Sequence, residues 1–211
     1  MELNKIIKYL IYSDLVFYTG WGLISPVFAI FLLKSIPGGN AFVVGMAAAV
    51  HLVVRSLLRI SFGVKADKSQ KVSYQFMLWG LLIASLVPLG YIISKNVWHI
   101  YILQAVLGVS LAMSTAGWAS IFARHMDKGK ESTEWGFDAV AVGLGPGIAG
   151  AIGGAAVTYF SFSYVFIVVT LIGLIGVLIL LFAKKDILKQ KAGKSAIFIH
   201  REVRRLKKHS I

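Results

Sequence analysis

Two arginines, one histidine and one aspartate stand where an apolar chain should not carry them. Arg55 and Arg59 lie four residues apart inside a long hydrophobic run, and His51 precedes Arg55 by four, so one helical face carries all three. An arginine deep in a bilayer costs several kcal/mol, so it faces a cavity or a partner, or it snorkels to the surface when the surface is near. Asp14 is the only acid well inside an apolar run. Counted by helix rise from the same end of the bundle, Asp14 and Arg55 both sit about 10–12 Å deep. They are therefore expected to pair across neighbouring helices; unpaired, Asp14 could carry a proton. Asp14, Tyr18, Trp21 and Ser25 follow at steps of four, three and four. Such a polar and aromatic stripe lines a solute path, and the same stripe also suits plain helix packing.

The elements that must position these groups are membrane helices. Hydrophobic residues make up 57% of the chain and charged residues 15%, against roughly 25% charged in soluble domains; the mean hydropathy is +0.77. With no cysteine there is neither a disulfide framework nor a thiolate metal site. Apolar segments fall near 6–33, 41–62, 73–93, 98–123, 135–160 and 163–183, each long enough to cross a core of ~30 Å. They lack the two-residue alternation of barrel strands. The breaks read "KSIPGGN", "FGVKADKSQK", "SKN", "RHMDKGKEST" and "SFS". The first run is longer than a signal-peptide core and is read as a retained span.

Charge gives the orientation. Lys5, Lys8, Lys65, Lys68, Lys71, Arg124, Lys128, Lys130 and ten cations beyond residue 183 fall on one side of these spans, whereas Lys34 and Lys95 fall on the other. Positive-inside bias puts both termini in the cytoplasm. The net charge of +13 suits an anionic cytoplasmic leaflet better than a nucleic acid. The tail, 184–211, carries Ile199, Val203 and Leu206 as an apolar stripe beside Arg201, Arg204, Arg205 and Lys208; an amphipathic helix lying on that leaflet is expected.

The fifth segment holds "GLGPGIAGAIGG". Gly143, Gly147, Gly150 and Gly154 fall at steps of four, three and four, a small-residue face that admits another backbone. Pro146 removes a backbone donor and loosens the helix there. The face is read as plain packing or as packing that must bend or slide.

Taken in order, these features resemble the major facilitator superfamily from about Tyr9 to Ala183. Gly63, Asp67, Lys68 and Lys71 match that family's G-x-x-x-D-[RK]-x-G-[RK] loop between helices two and three, with Gln70 where glycine is usual. Gly145, Pro146 and the glycines after them look like the glycine–proline motif of helix five in the family's antiporters. "LQAVLGVSLA" is similar to the R-x-x-x-G pattern of helix four, with Gln104 in the arginine's place. The resemblance implies an all-α, six-helix bundle equal to one half of that twelve-helix fold, whose halves are related by a pseudo-two-fold axis. A parallel homodimer would make that axis a true one.

The function expected is alternating-access transport of a small solute across the plasma (cytoplasmic) membrane, with antiport or export as the direction and a proton or another ion as the coupling species. Asp14, Tyr18, Trp21, His51, Arg55 and Gln104 are the candidate pathway residues, and the doubled arginines favour an anionic or amphipathic solute. Arg59 and the Lys68–Lys71 loop are expected to meet Glu134 or Asp138 of the second copy as a cytoplasmic lock. A lipid scramblase or flippase and a non-transporting scaffold or partner subunit are the competing classes. No paired carboxylates, histidine cluster or nucleophile–base motif points to an enzyme, and no cofactor or metal is called for.

Overall fold

In a computed structural model, which describes residues 3–189, the described residues form seven helices. They are α1 (Lys5–Ile24), α2 (Phe28–Ser35), α3 (Ala41–Lys68), α4 (Gln70–Ile92), α5 (Val97–His125), α6 (Glu131–Tyr159) and α7 (Phe162–Lys189). The first expected span is thus two helices. Pro26 lacks an N–H and its ring crowds the preceding turn, so the helix breaks over Ser25–Val27 and resumes. Residues Lys5–Ser35 still make one membrane-crossing unit, and the described residues contain six such units.

The starts follow local chemistry. Asn4, Asn40 and Asn96 each accept a hydrogen bond from a backbone N–H in the first turn of the helix that follows, the preferred arrangement for an asparagine cap. The reversals use Gly38 and Gly129, both at φ 82°, a backbone region open to glycine without strain.

Two boundaries differ from expectation. The polar break "FGVKADKSQK" shrinks to one extended residue, Ser69 (φ −155°, ψ 131°), which ends α3 and begins α4. Residues Phe62–Lys68 instead form the last two turns of α3. At the other end, α7 runs on through Lys184 and Lys185 to Lys189, so the stretch expected to be tail begins as helix. The amphipathic stripe at Ile199, Val203 and Leu206 lies outside the described residues.

The packing order is not the chain order. α6 packs on α1, α1 on α7, α7 on α4, α4 on α5, and α5 on α3. A lighter contact of α1 with α5 closes α1, α4, α5 and α7 into an inner ring, with α3 and α6 attached outside it. Only 11% of the most apolar stretch of α3 and 17% of that of α6 is buried, against 44–56% in the other spans.

Hydrogen bonds clasp the ring. Ser13 donates to the Gly176 carbonyl (3.1 Å), Tyr74 to that of Leu180 (3.1 Å) and Ser114 to that of Met77 (3.2 Å). Gln70 donates to the Ile187 carbonyl (2.5 Å) and lies 3.2 Å from His125 Nε2, while Asn4 donates to the His125 carbonyl (3.1 Å). With no water in a bilayer core, polar side chains find such partners inside the bundle. The far end is sealed by rings instead: Phe166 lies 4.9 Å from Phe31 and 5.6 Å from Tyr91, centroid to centroid.

Candidate functional site

Between the two outer helices the bundle leaves an opening, backed by α1 and α5. Two cavities lie in it end to end. The first, of about 520 Å³, sits away from the basic end and is lined by Tyr18, Trp21, Phe28, His51, Gln104 and Pro146 among others. Most of its wall is apolar, and the indole Nε1 of Trp21 and Nδ1 of His51 are buried without a hydrogen-bond partner. The second, of about 210 Å³, lies towards the basic end. Asp14, Tyr18, Arg55, Arg59, Ser114, Thr115, Trp118, Trp135 and Asp138 line it. Phe17, Tyr18, Leu111 and Val142 belong to both walls, so they form the waist between the cavities.

Each candidate pathway residue therefore borders one of these spaces. α1 supplies the stripe Asp14, Tyr18, Trp21, Ser25 at helical spacing, with Asp14 in the small cavity, Tyr18 at the waist and the other two in the wide one. α3 supplies His51 to the wide cavity, and Arg55 and Arg59 to the small one. Gly108 lets α3 approach α5: a Cβ there would stand 2.8 Å from the His51 carbonyl oxygen.

The expected Asp14–Arg55 ion pair does not form. The ion pairs among the described residues are Lys5–Asp186 at 2.9 Å and Lys130–Asp127 at 3.8 Å. Arg55 interacts instead with the Tyr18 hydroxyl, and the charged neighbour acting on Asp14 is Asp138. α1 and α3 stand on different sides of the opening, and the acid close to α1 comes from α6.

Within one chain, Glu134 is fully buried, and its carboxylate accepts the Asp127 N–H (3.2 Å). Asp138 is 8% exposed and lines the same cavity as Arg59 of its own chain. No two-fold axis is needed to bring them to one space. Asp67, Lys68 and Lys71 are exposed at the basic end. What holds that corner is Arg124, which donates to the Asp67 carbonyl (2.5 Å) and towards that of Ala66 (3.5 Å). Gly63 has open space where a Cβ would be.

The glycine motif splits between two faces of α6. Gly145, Pro146, Gly150 and Gly153 turn to α1, where a Cβ on Gly22 would come 2.5 Å from Pro146 Cα and one on Gly150 would lie 3.7 Å from Pro26. Gly143, Gly147 and Gly154 have nothing within 4 Å of a Cβ. Of the four-glycine face expected to receive a backbone, Gly150 alone does so within the chain. Gly153, one residue off that face, does so as well.

The α5 wall went unread beyond Gln104. Leu111, Thr115 and Trp118 follow Gln104 at steps of seven, four and three, one helical face. Trp118 stacks on Phe122 (4.5 Å) and lies 5.6 Å from Trp135; its Nε1, like Asp138 Oδ1, is buried and unpartnered. Extending the face of Gln104 by heptads reaches Leu111 and Trp118, and one four-residue step from Leu111 reaches Thr115. Among the described residues no group of three or more His, Asp or Glu is placed to hold a metal ion.

A helix order of this kind, with paired cavities on one open side, defines a polytopic membrane protein of transporter-like architecture. The family model "Major Facilitator Superfamily" matches residues 11–208, and the chain belongs to that superfamily. Among solved structures it is similar to the in meso crystal structure of the POT family transporter PepTSo, with a TM-score of 0.73 at 16% identity over 88% of this chain. The match spans 38% of the PepTSo chain, so the likeness is one of fold and covers less than half of that protein. No curated protein matches the sequence.

Proposed function

We propose that this bundle is one half of a transporter that moves a small solute by alternating access, and that a second, parallel copy supplies the other half. The observation that carries this reading is the pair of cavities joined at Tyr18, open along one side between α3 and α6. The same two helices leave most of their apolar stretch uncovered. On α3, Leu57 is 69% exposed and on α6, Leu144 is 63% exposed. A second half docked there would turn an open groove into an enclosed pathway. In our reading both termini face the cytoplasm, the membrane is the plasma membrane, and an anionic inner leaflet meets the basic end. The glycine–proline stretch at Gly145–Gly147 favours antiport or export.

The chain has no cysteine, which makes the test direct. Leu57 lies 11 residues from the basic end of α3 and Leu144 13 residues from the basic end of α6, so they stand at similar depth. The double variant Leu57→Cys, Leu144→Cys in liposomes should form a disulfide-linked dimer on oxidation, and each single variant should give less of it. The cross-linked protein should lose solute counterflow and regain it on reduction. A strictly monomeric protein that carries out counterflow would overturn the homodimer.

A further inference from the structure

We propose that the smaller cavity binds a zwitterion, its ammonium held by Asp14 and Asp138 and its anionic group by Arg55 and Arg59. This rests on the transport reading above and names the class of solute.

The charges are sorted by wall. Both acids come from α1 and α6, which pack on one another; both arginines come from α3, on the far side of the opening. No ion pair crosses it among the described residues. Arg55 has the Tyr18 hydroxyl as a neighbour, but neither arginine is paired with a carboxylate among the described residues; ionisable groups left without a counter-charge at membrane depth are expensive, and such groups mark solute or ion paths. A solute with a single charge would satisfy one wall and leave the other facing it. A dipolar solute satisfies both and adds no net charge to the cavity.

The acidic wall has the form of a built site. Asp138 is enclosed, and its Oδ1 has no donor. Trp118 and Trp135 flank it with indole rings 5.6 Å apart, and an indole face attracts an ammonium. The Thr115 hydroxyl donates to the Leu111 carbonyl (2.6 Å), so its oxygen is left to accept. On the other wall, guanidinium groups suit carboxylate and phosphate alike, since both present paired oxygens. The volume of about 210 Å³ falls below the ~300–1,000 Å³ of pockets that take drug-sized ligands. A free amino acid and the phosphoethanolamine headgroup of a lipid share the required chemistry.

The test uses the full chain in lipid nanodiscs and four probes: L-leucine, L-leucinamide (ammonium alone), N-acetyl-L-leucine (carboxylate alone) and glycerophosphoethanolamine, whose phosphodiester matches that of the lipid headgroup. At least one zwitterion should bind ten-fold or more tightly than both single-charge probes. Asp138→Asn should weaken that zwitterion at least ten-fold and leave N-acetyl-leucine unchanged. Arg55→Gln should weaken it as much and leave leucinamide unchanged. The wild-type comparison stands even where a variant fails to fold. Preference for leucine assigns a free solute. Preference for glycerophosphoethanolamine, with weaker binding in phosphatidylethanolamine than in phosphatidylglycerol nanodiscs, assigns the headgroup. A single-charge probe that binds as tightly as both zwitterions, or no binding by any probe, overturns the site. Zwitterion binding without flux in liposomes would keep the site and remove transport; flux indifferent to these charges would do the reverse.

Discussion

The inner ring and the outer pair of helices differ in how many hydrogen bonds hold them. α1, α4, α5 and α7 are clasped by side-chain hydrogen bonds to backbone carbonyls of neighbouring helices, from Ser13, Gln70, Tyr74 and Ser114, in addition to close backbone approach at Gly80 and Gly117 between α4 and α5. α3 and α6 are attached mainly by close backbone approach alone, at Gly108 on one side and at Gly22 with Gly145, Gly150 and Gly153 on the other. Hydrogen bonds fix one geometry. A smooth small-residue seam fixes a distance and leaves tilt and slide less constrained. The ring is thus expected to be the more rigid body, and the two helices bordering the cavities the ones freer to adjust.

The largest effect should come from breaking the ring. Phe166 is fully buried against Phe31 and Tyr91. Phe166→Ala should cost ~3–5 kcal/mol, as truncations of buried aromatics do, seen as a lowered melting temperature in detergent. A change indistinguishable from that of an exposed-face substitution such as Leu57→Ala would show that the ring is not the stable part.

A smaller effect should follow at the seam. Gly22→Ala sets a Cβ 2.5 Å from Pro146 Cα, backbone against backbone, where no flexible side chain can yield. The cost should be ~1–3 kcal/mol of overpacking. The more telling readout is the position of α6: a single cysteine at Val142, on the waist, should label faster with a water-soluble maleimide than in the Gly22 protein. Unchanged labelling with lowered stability would mean that α6 is as tightly fixed as the ring.

The same difference decided what the sequence could reveal. Six spans, their order and the shared depth of Asp14 and Arg55 follow from segment length and helix rise. Azimuth does not. Which acid comes near Asp14 depends on α6 packing against α1, and nothing local to Asp138 announces that. The ring's clasps are equally hidden, because Ser13, Tyr74 and Ser114 bond to backbone carbonyls that every residue possesses. The glycine motif was legible as a close-approach signal, but steps of four and three select a face only to within one residue. The face chosen was Gly143–Gly147–Gly150–Gly154, and the one used is Gly145–Gly150–Gly153. The polar composition around Ser69 reads as loop but folds as helix, because lysines at a helix end extend into water without leaving the helix.

The smallest expected effect tests the place where ring and outer pair are joined by hydrogen bonds. Arg124, on α5, donates to the carbonyls of Asp67 and Ala66 at the end of α3. Ala66 has a second donor in Ser73 Oγ (2.7 Å), so Arg124→Gln should leave the Asp67 carbonyl to water and cost only ~0.3–1 kcal/mol, the range for a cation at an exposed helix C-terminus. The melting temperature should scarcely move. Amide exchange should move locally: the Ser69 N–H, bonded to the Ala66 carbonyl at 3.3 Å, should exchange faster, while the amides of α4 beyond its first turns keep their protection. Arg124→Lys retains the charge but not the fork that spans two carbonyls, so it should fall between wild type and Arg124→Gln. Faster exchange throughout α4 and α5 would mean that Arg124 clasps the ring itself, and the division between a rigid ring and an adjustable outer pair would fail at that corner.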